Sequence, residues 1–168
     1  VYKRQVLMDA LDELKLTDNT MVVFFSDNGG APTNGATNLP LAGSKFTLWE
    51  GGIRVPFILS RPGDPHGGQV SDQVISSLDI VPTCLDAARI RLPADLDGKP
   101  IVQSEEPRNL FWRFGETNSH AVRSGDWKLL HNGGRKNREP TEGIVNRKNL
   151  LKGTRLFNLK NDPGESKD

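Results

Sequence analysis

Five residue types in this sequence carry chemistry at informative spacing. Asp27 and Asn28, followed by Gly29 and Gly30, offer a carboxylate and an amide oxygen where the chain is free to turn sharply. Both are hard oxygen donors of the kind that Ca²⁺ and Mg²⁺ select. A plain Asp-Asn-Gly-Gly turn is the competing reading, because those residues favour turns on their own account. Lys45 stands in an otherwise uncharged stretch, between Gly43-Ser44 and Phe46-Thr47. Its ammonium is a point charge suited to one oxygen of a tetrahedral anion, and a solvated surface lysine is the alternative. His120 and Arg123, with Trp112 and Arg113 nearby, are candidates for contact with an anionic or sugar substrate.

Other charged residues read as structural. Glu50 and Arg54, in W-E-G-G-I-R, are expected to form an ion pair or hydrogen-bond clamp that returns the loop to the next strand. Asp79 suits the start of a helix, where a negative charge is favourable. His66 lies in a Pro/Gly turn and is read as inert. Between Arg135 and Arg155 seven basic residues face two acidic ones, a local excess of +5. No aromatic residue is interleaved for base stacking, so this excursion reads as a solvated loop, with guidance of a polyanion as the alternative.

The elements that must position these residues follow from periodicity. Val6, Leu7, Ala10, Leu11 and Leu14 recur at three- and four-residue spacings, predicting an amphipathic helix that ends near Leu16. Met21 to Phe25 is a continuous apolar run, the pattern of a strand covered on both faces as in a parallel sheet. Asp27 and Asn28 then sit beyond a strand's carboxyl end, where α/β sheets bind ligands. Ser26 to Gly52 is a long loop, rich in Gly, Asn and Thr. Loops of that length are usually functional or disordered, and Phe46 and Trp49 argue for order. Val55 to Leu59 predicts a second buried strand, and Ser76 or Ser77 caps a helix carrying Leu78, Ile80, Val81, Leu85 and Ala88.

After residue 107 the period falls to two. Residues 109–115, 121–123, 127–131 and 155–159 are predicted as short strands, with Ser124, Gly125 and Asp126 as a hairpin turn. The fold class expected is α/β, mainly a parallel sheet, followed by a small antiparallel α+β subdomain. Residues 1–105 form the first part and 106–168 the second.

Composition bounds the rest. The 168 residues carry 22 basic and 21 acidic side chains, a net charge of +1, too near neutrality for global attraction to nucleic acid or anionic lipid. No run approaches the ~18 apolar residues of a membrane span. The single cysteine, Cys84, cannot close an internal disulfide. The opening on Val1, inside a helical pattern, is read as that of a fragment.

The run VVFFSDNGG, then NLPLAGSKFTLWEGGIRVPFI, SSLDIVPTCLDAA, HAVRSGDWKLL and LFNLKNDPGE resembles the C-terminal portion of a type I sulfatase of the arylsulfatase group. The combination of the DNG turn with G-x-K-x-x-x-W-E-G-G-x-R-V-P carries the resemblance. It implies an alkaline-phosphatase-like α/β fold with a smaller C-terminal domain and hydrolysis of sulfate esters on a sulfated small molecule or glycan. It also implies a divalent metal, usually Ca²⁺, and a formylglycine made from the C/S-x-P-x-R motif. By the same resemblance Asp27 and Asn28 match the later pair of metal ligands, and Lys45 the sulfate-binding lysine.

That C/S-x-P-x-R motif is absent here, and Cys84 lies in P-T-C-L-D. The resemblance puts the nucleophile and the remaining ligands before Val1, so these residues are expected to hold half a site and to be inactive alone. Sulfatases are commonly exported, periplasmic or lysosomal. A phosphodiesterase or phosphonate hydrolase of the same superfamily, and a noncatalytic glycan-binding remnant, are the alternatives.

Overall fold

The computed structural model describes residues 2–101, 107–115, 118–133 and 153–168. The described residues fall into two compact units. One comprises those within Val1–Phe25 and Phe57–Ser104, the other those within Ser26–Pro56 and Glu105–Asp168. The long loop is thus grouped with the C-terminal sheet, whereas a boundary near residue 105 leaves it with the preceding α/β segment.

In the first unit, helix α1 (Tyr2–Glu13) follows the predicted apolar period. Its stripe stays open, with Val6 and Leu7 more than half exposed, as is Leu14 just beyond its end. Strands β1 (Val22–Phe25) and β2 (Phe57–Ser60) pair with each other, and they do so antiparallel, Val22 facing Ser60 and Phe25 facing Phe57. The parallel neighbour expected from the apolar run is not among the described residues. The reason is physical: an unbroken apolar run reports burial, whereas strand direction is set by the connection. Here the chain leaves β1 at Phe25 and re-enters beside it at Phe57, which makes the pair antiparallel. Phe24 and Ile58 remain about half exposed, so the double covering read from sequence is not met within this unit.

Ser76 caps the next helical segment as expected. Its hydroxyl accepts from the Leu78 N–H, while the Asp79 carboxylate accepts from the Ser76 N–H in a reciprocal capping box. A 3-10 turn, Ser77–Asp79, leads into helix α3 (Ile80–Ala87), with buried Pro82 inside the first turn, where its missing donor costs nothing. Asp79 is itself buried and also accepts from the Lys99 N–H.

The second unit contains a four-stranded antiparallel sheet in sequence order: β3 (Asn109–Phe114), β4 (Ser119–Ser124), β5 (Trp127–Asn132) and β6 (Gly153–Asn158). Gly125 and Asp126 form the two-residue turn between β4 and β5, with Gly125 at positive φ as such a tight hairpin requires. Alternation sorts the side chains. Leu110, Ala121, Leu130 and Phe157 are buried on one face, while Phe111, Leu129 and Leu156 are exposed on the other. The buried face is covered by the loop between β1 and β2, through Ala42, Leu48 and Trp49. Of the basic excursion read between Arg135 and Arg155, only residues 153–155 are among the described residues.

Candidate functional site

Asp27 and Asn28 follow β1 directly, and three hydrogen bonds shape their turn. The Ser26 hydroxyl donates to the Asn28 carbonyl at 2.8 Å, and the Asn28 side-chain amide donates to Asp27 Oδ1 at 2.9 Å. The Ser26 N–H donates to the Pro56 carbonyl at 3.3 Å, closing the neck of the loop. Asp27 is exposed and Asn28 half-buried, so the pair forms an oxygen-bearing tip open to a ligand.

Behind the tip, backbone meets backbone. The Gly29 N–H donates to the Gly52 carbonyl at 3.0 Å, and Gly52 belongs to the single helical turn α2 (Glu50–Ile53). A Cβ on Gly29 would lie 1.7 Å from the Gly51 carbonyl oxygen. Only glycine permits that approach. The Gly51 N–H in turn donates to the Ala42 carbonyl at 2.6 Å.

Asn38 joins the segments. Its Oδ1 accepts from the Gly30 N–H at 2.7 Å, and its Nδ2 donates to the Gly30 carbonyl at 3.0 Å and the Gly43 carbonyl at 3.2 Å. The Lys45 N–H then donates to the Gly30 carbonyl at 3.3 Å. The lysine's backbone is therefore fastened two residues from Asn28. Its Nζ lies 5.2 Å from the centre of the Phe46 ring, and Phe46 has a φ of 71°, rare for an aromatic residue. Left-handed backbone at a non-glycine position is costly and persists only where the surroundings enforce it. Here the Ser44–Thr47 turn does so, with Thr47 Oγ1 accepting from the Ser44 N–H and donating to the Ser44 carbonyl.

The two substrate candidates on β4 separate. His120 is exposed on the outer face, facing Arg113 and His131 in register and stacked on the His131 ring at 4.8 Å. Arg123 faces Leu110 and Lys128 in register, on the opposite face, and its Nε donates to the Gly125 carbonyl at 2.9 Å. An odd separation along a strand forces this parting. Sequence spacing already carried that signal.

Glu50 is structural, as read, but its partner is not Arg54. Arg54 is exposed and meets Glu50 only through its backbone N–H, 2.7 Å from the Glu50 carbonyl. The Glu50 carboxylate instead receives Lys128 Nζ at 2.9 Å. Glu165 completes the cluster, with Oε1 at 2.8 Å from the same Nζ and Oε2 accepting from the Glu50 N–H at 2.6 Å. All three side chains are buried. Glu165 Oε1 meets the ammonium without hydrogen-bond alignment, and Glu50 Oε2 has no hydrogen-bond partner among the described residues. Burial pushes the Glu165 carboxyl up to about 7, against the lowering effect of Lys128. Sequence reasoning missed Lys128 and Glu165. The signal for Lys128 was its alternation with Trp127 and Leu129, which puts it on Leu130's buried face.

Ca²⁺ takes roughly six to eight oxygens. Asp27 and Asn28 supply at most three, all of the right chemistry, so the tip fits one side of a coordination sphere. Among the described residues no group of three or more His, Cys, Asp or Glu side chains could hold a metal ion. The chain contains no C/S-x-P-x-R, and Cys84 is an exposed cysteine on α3. No helix among the described residues is long and apolar enough to cross a membrane.

Comparison with known proteins gives a consistent set of likenesses. The Sulfatase family model matches residues 5–90. An arylsulfatase of Hemicentrotus pulcherrimus is 34% identical over 134 residues, covering 74% of this chain and 24% of that protein. The human N-acetylgalactosamine-6-sulfatase is 32% identical over 183 residues, covering 95% of this chain and 35% of that protein. Among solved structures, that of Ps i-CgsB in complex with k-i-k-neocarrahexaose superposes with a TM-score of 0.73 at 30% identity, covering 96% of this chain and 35% of the other. The chain thus spans about a quarter to a third of the length of these relatives.

Proposed function

Since the chain belongs to the sulfatase family, we propose that it forms part of a sulfuric ester hydrolase, supplying Asp27 and Asn28 to a divalent metal, Ca²⁺ by family, and Lys45 to the sulfate. The observation that carries this reading is the Lys45 N–H···O=C Gly30 hydrogen bond, reinforced by Asn38, which ties the lysine loop to the turn bearing both oxygen ligands.

On this reading the Asp27 carboxylate and the Asn28 amide oxygen face the cation from one side, with the other ligands and the formylglycine contributed from outside these residues. A divalent cation bound there polarises sulfate oxygens as a Lewis acid. Lys45 holds another sulfate oxygen. An ion pair at ~4 Å and an effective dielectric of ~20 is worth roughly 4 kcal/mol before desolvation. Only the part gained as charge builds on those oxygens speeds the reaction. Fixed backbone serves that purpose, because donors and charges that need not reorganise act at full strength in the transition state.

The substrate class on this reading is a sulfated small molecule or glycan. Two observations support it, a relative named for N-acetylgalactosamine 6-sulfate and a neighbour solved with a neocarrahexaose. His120, exposed on the outer sheet face, is the better placed of the two substrate candidates for a ligand approaching from solvent. Residues 1–105 would belong to the catalytic α/β domain, with β1 and β2 at the side of a larger, mainly parallel sheet, and 106–168 to the small C-terminal subdomain.

The test is Lys45→Ala in the complete protein as its gene encodes it. Turnover of a chromogenic aryl sulfate is expected to fall at least a hundredfold, the usual size for a lost charge-stabilising group. The far-ultraviolet spectrum should be unchanged. Wild-type turnover in the variant would refute the role of Lys45.

A further inference from the structure

The buried Glu50–Lys128–Glu165 cluster sits one covalent step from the turn that backs the metal tip. Glu50 is the first residue of α2, and the next two, Gly51 and Gly52, are the ones against which the Asp27–Asn28 turn is built. Gly52 accepts the Gly29 N–H, and Gly51 is fastened to Ala42. Neither glycine has room for a side chain, so both are close-packed against backbone. A Cβ on Gly52 would meet the Thr47 carbonyl oxygen at 2.2 Å, and one on Gly51 would meet the Ala42 and Gly43 carbonyls at 2.6 Å. A displacement of α2 is therefore passed directly to Gly29 and to the lysine loop.

What fixes α2 is the cluster. Trp49, which precedes it, makes no side-chain capping bond, and the Glu50 N–H is taken by the Glu165 carboxylate instead. The Glu50 side chain is held by Lys128, the second residue of β5. Two attachments, one to backbone and one to side chain, thus pin one residue from two distant parts of the chain.

We propose that Lys128 and Glu165 are positioning residues for sulfate-ester hydrolysis, which hold the Asp27–Asn28 turn in its ligand-binding conformation by anchoring Glu50 and, through it, Gly51 and Gly52. The inference rests on the metal-binding reading of that turn for its functional meaning, but not for its mechanics. It explains why a cluster with two carboxylates and one ammonium is kept in the interior. Packing alone is served as well or better by apolar residues of similar volume, so an ionic cluster here points to geometric definition.

Hydrogen exchange followed by mass spectrometry on the complete protein separates the two parts. In Lys128→Met, amides in peptides covering residues 26–56 are expected to exchange at least tenfold faster, while those of β4 and of the β1–β2 pair keep their wild-type rates. Should this variant not fold, Glu50→Gln, which keeps the shape and the backbone N–H, is expected to give the same pattern at smaller amplitude. Unchanged exchange in 26–56 of a folded variant would overturn the proposal. So would equal acceleration across β4, since that is what a merely stabilising cluster does. In parallel, the Ca²⁺ affinity measured by calorimetry should fall about tenfold, the usual effect of losing an outer support of metal ligands. A loosened loop with unaltered Ca²⁺ affinity would leave the anchoring of α2 in place and overturn its role in positioning the ligand turn.

Discussion

The rings of Trp49 and Phe157 meet at 5.5 Å with their planes at 50°, so the long loop and the last strand are joined by one tilted aromatic contact. Both residues are about 1% exposed, and they anchor the cluster of Ala42, Leu48, Ala121, Leu130 and Leu159. Trp49→Ala is expected to cost roughly 3 to 5 kcal/mol, the range for emptying a buried large aromatic site. Urea unfolding monitored by far-ultraviolet circular dichroism would register it as a lower midpoint with little change in slope.

Asn38 makes three hydrogen bonds to the backbone of Gly30 and Gly43. Asn38→Ala would take their partner from the Gly30 N–H and the Gly43 carbonyl and leave the Gly30 carbonyl with the Lys45 N–H alone, at about 1 to 3 kcal/mol for a buried unsatisfied group. On the proposed reading the same variant should weaken Ca²⁺ binding, because Gly30 joins the Asp27–Asn28 turn to the lysine loop. Calorimetric titration of the complete protein with Ca²⁺ measures this, and an unaltered isotherm would show that the turn keeps its shape without Asn38.

Gly29→Ala introduces a methyl group 1.7 Å from the Gly51 carbonyl oxygen, a backbone atom that cannot swing away. The Gly29 to Gly52 hydrogen bond must break. A loss of at least ~2 kcal/mol is expected, within the range of overpacking in a tight site. Gly35→Ala is the control for the loop as a whole. Its Cβ meets no neighbour, so its cost is confined to the strain of a φ of 72°.

The ionic cluster makes a prediction about pH. The Glu165 carboxyl is raised by burial from 4.5 to about 7, with Lys128 opposing and Glu50 adding to the rise. A group whose folded value lies above its unfolded one stabilises the fold fully below the unfolded value and loses that contribution as pH climbs through the folded one. Stability should therefore decline between about pH 4.5 and pH 7, by up to a few kcal/mol on the scale of about 1.4 kcal/mol per pH unit. Glu165→Gln removes the titration, so its melting temperature should vary less with pH over that window. A wild-type profile no steeper than the variant's would contradict the assignment.

How much of this was legible in the sequence depends on range. The Gly125-Asp126 hairpin and its flanking strands were readable because turn chemistry and period-two alternation act over neighbouring residues. The same holds for the Ser76 cap, where donor and acceptor are three positions apart. The direction of the β1–β2 pair was not readable, since an apolar run carries no sign of direction. Nor was the partner of Glu50, for Arg54 is close in sequence whereas Lys128 is 78 positions away. At the candidate site, the residue types and the strand-end location of Asp27 and Asn28 were visible. The knot that Asn38 ties was not, because one asparagine in a polar loop looks like any other.

The neck of the long loop has an evolutionary corollary. Phe25 faces Phe57, and the Ser26 N–H reaches the Pro56 carbonyl, so the excursion leaves and returns at a single point. Lengthening such a closed ring costs only a slowly growing entropy and displaces neither strand from its register. Residues 33–37 at its rim are exposed to solvent. Segments inserted there would lengthen the loop while leaving the turn at the base of the ring in its place.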